Sequence, residues 1–191
     1  LLGAALGLIN GALVNVTGLH SFIITLGTQA IFRGATLIVS NSSAVFGFPA
    51  SFTKSISASV LGIPVIAIVA IIVALILAFL TIKTKLGRNI YALGGNKESA
   101  WYSGINVKLH TLIVFIISGL CAGIAGIVLL GRVGSAEPAA ATGFETYAIA
   151  AAIIGGTSFF GGKGKIHGVV VGGLIIGVIN YGMNILSLSS T

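Results

Sequence analysis

The sequence predicts an all-α, polytopic transmembrane helical bundle, and three observations predict it. Of its 191 residues 56% are hydrophobic and only 7% are charged, mean hydropathy is +1.13, and the apolar residues fall in runs long enough to cross a bilayer. One soluble core cannot hide that much apolar surface, because roughly a quarter of the residues in a soluble domain carry charge. Lipid is the natural solvent. The formal charge of +7 is not gathered into a dense basic stripe, so no nucleic-acid partner is indicated. Cys121 stands alone in an apolar run; it allows no intrachain disulfide framework and reads as a small core residue.

A spanning helix needs about 20 mostly apolar residues to cross roughly 30 Å of hydrocarbon. Residues 1–19 form a first candidate that opens inside an apolar run. With Leu1 at its start and Met183 as its single methionine, the chain reads as one transmembrane domain over residues 1–191, incomplete at both ends, with no secretory signal. Residues 22–40, which include Arg33, are a weaker segment expected to be broken or re-entrant. The polar stretch 41–59 reads as an external loop. Residues 61–82, 111–131 and 168–186 contain no charged residue and qualify outright as spans; Pro64 is tolerable near the start of the first. Residues 146–161 are short and Gly-rich, a second candidate for a broken or re-entrant helix.

Lys83, Lys85, Arg88, Lys97 and Lys108 crowd residues 83–109 beside a single acid, Glu98, and the positive-inside bias places such a loop in the cytoplasm. Residues 111–131 then run outward, the loop around Glu137 and Pro138 lies outside, and 146–161 return so that Lys163 and Lys165 are again cytoplasmic. Small residues recur at four-residue spacing: Gly3, Gly7 and Gly11; Gly119 and Gly123; Gly168 and Gly172; Gly173 and Gly177. Such rows let helix backbones approach closely, although 28 glycines also produce some of these spacings by chance.

Residues 94–105 have the grammar of a short helix. Asn96 can cap its N-terminus, Glu98 suits the positive end of the dipole, and Gly104 can supply a left-handed C-terminal residue; Gly94 and Gly95 in front permit a sharp turn into it. A helix this short is marginal alone in water, so it needs a surface to lie on. That surface is either the membrane, with Trp101 and Tyr102 at the headgroups, or a partner protein.

The stretch Gly87-Arg88-Asn89-Ile90-Tyr91-Ala92-Leu93-Gly94-Gly95-Asn96, then Ser103-Gly104-Ile105-Asn106-Val107, Ala148-Ile149-Ala150-Ala151, Gly155-Gly156-Thr157-Ser158 and Gly161-Gly162-Lys163-Gly164, together with Phe22-Ile23-Ile24-Thr25-Leu26-Gly27-Thr28 and Arg33-Gly34 upstream, resembles the permease subunits of ribose-type monosaccharide ABC importers. The resemblance spans nearly the whole chain. It implies a membrane-spanning subunit that moves a sugar by alternating access across the cytoplasmic membrane of a prokaryote. The implied partners are a cytoplasmic ATP-binding subunit, an extracytoplasmic sugar-binding protein and a second permease subunit, with membrane lipid around them. No cofactor is expected in this chain, since ATP and Mg would sit on the partner ATPase. Residues 83–109 become a coupling loop whose ATPase contacts are Gly94, Gly95, Asn96, Glu98, Ala100, Trp101, Ser103, Gly104 and Ile105. Trp101 and Tyr102 are bulkier than the small or aliphatic residues expected there.

The residues themselves argue against catalysis. The closest approach to a P-loop, residues 157–164, has Thr in place of the first Gly and Gly in place of the metal-holding Ser or Thr. His20, His110 and His167 lie far apart without Cys or carboxylate companions at metal-ligand spacing, and read as helix-end or interfacial residues. The three carboxylates, Glu98, Glu137 and Glu145, form no acid–base pair. A sugar path should offer amides and hydroxyls without strong charge. The candidates are Asn10, Thr25, Gln29, Glu145, Thr157 and Asn180, with Asn15, Thr28 and Asn184 also on expected helices, and many of these could equally be interhelical hydrogen bonds. Arg33 reads as a packing ion pair, a snorkelling cation or a substrate contact; Glu145 either starts its helix or lines the path. The rival reading is a secondary transporter or channel driven by an ion gradient, which would call for intramembrane carboxylates. A packing or anchor protein is a third.

Overall fold

Inside a bilayer no water is at hand for backbone N–H and C=O groups, so apolar runs close their hydrogen bonds within themselves and become helices. The computed structural model of the chain describes residues 1–186. Its elements run α1 (Leu2–Thr17), α2 (Ser21–Val39), α3 (Ala50–Ser57), β1 (Ser59–Val60), β2 (Ile63–Pro64), α4 (Val65–Lys83), α5 (Lys85–Gly95), α6 (Lys97–Tyr102), α7 (Val107–Val133), α8 (Phe144–Ile154) and α9 (Ile166–Ile185). Of these, α2, α4, α7 and α9 are long and apolar enough to span a membrane; α1 and α8 are shorter apolar helices. The all-α, polytopic membrane class holds. Side chains of α4 such as Leu75 and Phe79, more than 60% exposed, suit a lipid environment in which an apolar surface needs no cover.

The chain divides into two compact units, Leu1–Val73 with Lys108–Ala140, and Ala74–Val107 with Ala141–Thr191. In the first, α1 and α7 run antiparallel with their backbones in contact. A Cβ placed on Gly3 would run into the carbonyl of Gly119, one on Gly7 into the carbonyl of Phe115, and one on Gly11 would come within 3.2 Å of Leu112 Cα. Asn15 continues the series, its Nδ2 donating to the Lys108 carbonyl at 2.9 Å. Each step of about four residues up α1 matches a step of three or four down α7, as antiparallel helices require. The expected row Gly3, Gly7, Gly11 is therefore a packing seam. His20 caps α2, its Nδ1 accepting from the Phe22 N–H at 3.3 Å, which bears out a helix-end role.

Several expectations are corrected. Residues 22–40 are not broken: α2 is continuous, because Arg33 lies on a polar helix face rather than in an apolar stripe. The stretch 41–59 is not all loop. It contains α3, whose Ile56 side chain lies over Gly131 near the end of α7, and Val45 pairs with Ala136 through two 2.9 Å backbone hydrogen bonds. Residues 61–64 are not helical. They belong to a two-residue hairpin in which Val60 faces Ile63 and both Leu61 and Gly62 have positive φ, the twist-matching geometry of tight β-turns; α4 begins only after Pro64. Cys121 is half-buried rather than in the core.

In the second unit, α8 and α9 form an antiparallel pair with the same backbone contact: a Cβ on Gly168 would meet the carbonyl of Gly155, and one on Gly172 the carbonyl of Ala151. Gly173 and Gly177, by contrast, have nothing within 4 Å among the described residues, so that row forms no seam among them. The segment 146–161 is helical only as far as Ile154, since Gly155 and Gly156 end α8 with the paired 5→2 and 6→1 bonds of a Schellman motif, Gly156 N–H to Ile153 and Thr157 N–H to Ala152, each at 2.9 Å.

The seam is directly testable. Gly7→Leu should cost about 1–3 kcal/mol, the usual range for overpacking, and lower the thermal unfolding midpoint of the detergent-solubilised protein, whereas Gly126→Leu, on an open stretch of α7, should leave it nearly unchanged.

Candidate functional site

Helix α2 carries Thr25, Thr28, Gln29, Phe32, Arg33 and Thr36, a spacing of i, i+3, i+4, i+7, i+8, i+11 that puts all six on one face. With Asn10 of α1 and Pro138 they line a cavity of about 340 Å³, within the size range of small-molecule pockets. The threonine hydroxyls return their protons to their own helix. Thr25 Oγ1 donates to Ser21 O at 3.0 Å, Thr28 Oγ1 to Thr25 O at 3.1 Å, and Thr36 Oγ1 to Phe32 O at 2.8 Å, which leaves lone pairs for an incoming donor. Asn10 Oδ1 is buried with no hydrogen-bond partner among the described residues. Leaving such an acceptor unmet costs about 1–3 kcal/mol, so it is available to a donor that enters the cavity.

Three of the six expected path residues, Asn10, Thr25 and Gln29, thus meet at one cavity; Glu145, Thr157 and Asn180 are not among its lining residues. Glu145 sits exposed in the first turn of α8, where its charge suits the positive end of the helix dipole. Thr157 follows α8, and its Oγ1 is buried without a partner among the described residues. Asn180 is on α9, its carbonyl accepting from Asn184 Nδ2 at 3.0 Å. Thr36, Phe32 and Pro138 were missed. The first two follow from extending the 3.6-residue period beyond Gln29, whereas Pro138 is brought in by a loop far along the chain.

Within residues 83–109 the expected short helix, α6, is preceded by a second one, α5. Thr84 caps α5, its Oγ1 accepting from the Gly87 N–H at 3.2 Å, and Asn96 caps α6, its Oδ1 accepting from the Ser99 N–H at 2.9 Å. Glu98 lies in the first turn of α6. The helix closes on Gly104, at φ 79°, with Gly104 N–H to Trp101 O at 2.9 Å and Ile105 N–H to Ala100 O at 3.0 Å, a Schellman motif. Ala100 is buried at 3% exposure while Trp101 and Tyr102 stand out at 63% and 74%, their rings edge-to-face at 5.0 Å. The expected sharp turn into α6 does not fall on Gly94 and Gly95: they are the last residues of α5, and Gly94 packs on the backbone of Gly162. The sharp change of direction falls on Asn96, at φ −156°.

A polytopic α-helical protein with a hydroxyl- and amide-lined cavity and a doubly capped helix between spans has the features of a solute permease. The chain matches the family described as branched-chain amino acid transport system / permease component over residues 1–190, and it belongs to that family. It is 67% identical over its whole length to the D-allose transport system permease protein of Escherichia coli (strain K12), of which it covers 58%. The ribose import permease protein of the same organism is 41% identical over 99% of the chain and 60% of that protein; the ribose import permease protein of Bacillus subtilis (strain 168) is 41% identical over 95% of the chain and 57% of that protein. The chain therefore spans about three-fifths of the length of these curated relatives. No solved structure matches it. Family and apolar helices together make it a multi-pass protein of the cytoplasmic membrane, and membership in a family of transport permeases, rather than enzymes, agrees with the resemblance carried by its motifs.

Asn96→Ala removes the cap of α6 at a cost of about 1 kcal/mol, and hydrogen exchange of the Ser99 amide should quicken by roughly fivefold while the amides of α7 keep their protection.

Proposed function

We propose that this chain is part of the membrane-spanning subunit of an ATP-driven importer that moves a monosaccharide by alternating access. The observation that carries this reading is the 67% identity, over the whole chain, to a permease protein of D-allose transport, which makes D-allose the first sugar to test. ATP and Mg would be held by a separate cytoplasmic subunit. Loaded sugar-binding protein would dock outside, and a second permease subunit would complete the pathway. Residues 83–109 face the cytoplasm in this reading, as their five cations favour, and α6 docks on the ATP-binding subunit through Glu98, Trp101, Ser103 and Gly104.

The cavity along α2 is the sugar path of this proposal. A sugar hydroxyl both donates and accepts. Threonine oxygens whose protons are already committed accept from it, Asn10 Oδ1 does the same, and the Gln29 amide and Arg33 guanidinium are of the donor type. Among the described residues lining the cavity none is a carboxylate, so proton coupling through an intramembrane acid finds no support there.

The test reconstitutes the full-length permease in nanodiscs with its ATP-binding subunit and sugar-binding protein, and follows ATP hydrolysis; uptake is measured in proteoliposomes. Sugar-loaded binding protein should stimulate hydrolysis. Gln29→Leu should lower uptake by about tenfold, equivalent to ~1.4 kcal/mol, without changing the affinity of the binding protein for sugar. Gly104→Trp, placed at a left-handed residue, should uncouple hydrolysis from uptake. Uptake that follows an imposed ion gradient and ignores ATP would overturn the proposal.

A further inference from the structure

The second unit contains a contact whose construction the sugar path and the docking helix leave unexplained. The Tyr91 hydroxyl, on α5, donates to the Gly164 carbonyl at 2.8 Å across 73 positions of sequence. One helical turn further on, the end of α5 lies directly on a second segment. A Cβ on Gly94 would stand 2.5 Å from the Gly162 nitrogen, and one on Gly162 2.7 Å from the Gly95 Cα. Four glycines, Gly94, Gly95, Gly161 and Gly162, thus bring two backbones together with no side chain between them.

Both sides of this contact are stiff. Residues 158–163 form a closed turn, with Ser158 N–H to Lys163 O at 2.9 Å, Gly161 N–H to Ser158 O at 3.1 Å, and Phe160 N–H to Ser158 Oγ at 3.3 Å. A Cβ on Gly164 would come within 3.0 Å of the Thr157 side chain, so the far leg of the turn is wedged as well. The turn leads straight into α9, which is locked to α8 through Gly155–Gly168 and Ala151–Gly172. On the other side, a Cβ on Gly87 would stand 2.5 Å from the Leu80 carbonyl oxygen, which seats the start of α5 on the last turn of α4, and Asn96 joins its end to α6.

We propose that Tyr91 and the Gly94–Gly95/Gly161–Gly162 contact form a joint that passes displacement of α6 into the α8–α9 pair, making Tyr91 and Gly162 positioning residues of transport. This rests on the reading of α6 as the docking helix for the ATP-binding subunit. Side chains between two elements can take up a displacement by changing rotamer; bare backbones in contact cannot, and close-packed interfaces transmit small shifts instead of absorbing them. The Tyr91 hydrogen bond adds direction, because it fixes which part of the turn follows which part of α5. A mere packing seam would not need it.

The test uses the full-length permease assembled with its ATP-binding subunit and sugar-binding protein, as wild type, Tyr91→Phe, Gly162→Ala and, as control, Gly173→Ala, whose site has nothing within 4 Å among the described residues. Three quantities are read: co-purification of the ATP-binding subunit, sugar moved per ATP hydrolysed, and the nucleotide-dependent change in distance from spin labels at Lys97→Cys on α6 and Lys165→Cys before α9 to a common reference label at Ser51→Cys on α3. Loss of one hydrogen bond corresponds to roughly fivefold in an equilibrium, so Tyr91→Phe should retain the subunit and its hydrolysis while sugar per ATP falls about fivefold. Gly162→Ala should lower it further, and in both the label at position 97 should respond to nucleotide while that at 165 no longer follows. The control should match wild type. The proposal is overturned if Tyr91→Phe keeps the wild-type ratio with both labels moving together, or if it merely loses the assembled complex, since that outcome assigns the contact to packing alone. If wild type itself shows no sugar-responsive hydrolysis, the importer reading fails and this inference falls with it.

Discussion

Direct contact between helix backbones at glycine is the constraint on which the rest of this protein depends. Lipid tails are as apolar as leucine, so burial of apolar side chains gives little drive for two helices to associate within a membrane. What remains is van der Waals contact, and that is greatest where no side chain holds the backbones apart. Gly3, Gly7 and Gly11 meet α7 in this way, and Gly155, Gly168 and Gly172 do the same for α8 and α9. Few apolar side chains are buried, Val14, Leu93, Ala100 and Ala151 among them, and two of these are alanines. Large hydrophobic residues mostly face outward, the reverse of a soluble core.

The same environment dictates the chemistry of the polar cavity. A hydroxyl in hydrocarbon must find a partner, and the threonines of α2 find theirs in the preceding turn of their own helix. That solution leaves the oxygen presented as an acceptor and keeps the helix intact. Combined with the amides of Asn10 and Gln29, it yields a surface able to exchange hydrogen bonds with a neutral polyol. Arg33 brings a charge, and its place on the polar face spares it from lipid. Such a surface gives weak, multiple contacts, which suits a solute that has to leave as readily as it arrives.

Around α5 and α6 the polar and glycine-rich residues serve shape more than chemistry. Asn96 and Gly104 close a helix of six residues at both ends, which lets so short an element keep its form. Four glycines and one tyrosine then tie the preceding helix to the turn before α9. Stiffness here comes from the absence of side chains.

The residues themselves were enough to point to the long apolar helices α4, α7 and α9, the caps at Asn96 and Gly104 and the glycine row Gly3, Gly7 and Gly11, because each is a local matter of run length, periodicity or capping chemistry. The family motifs carried the membrane-transport reading. What local pattern could not settle was partnership. Gly168 with Gly172 and Gly173 with Gly177 have the same spacing on the same helix, yet among the described residues only the first pair meets another backbone. Gly94 and Gly95 read as a sharp turn into a helix until Gly161 and Gly162, more than sixty residues away, are found against them. Asn10, Thr25 and Gln29 converge while Thr157 and Asn180 stand elsewhere, although all are neutral polar residues on or beside apolar helices. The hairpin at Leu61–Gly62 and the helix α3 depend likewise on neighbours: Leu61 takes positive φ because the paired strands around it require that turn, and Ile56 holds α3 over Gly131. Periodicity determines that a helix forms and which residues share its face; only the tertiary fold decides what that face meets, because the partner is set by contacts distant in sequence that leave no local signature.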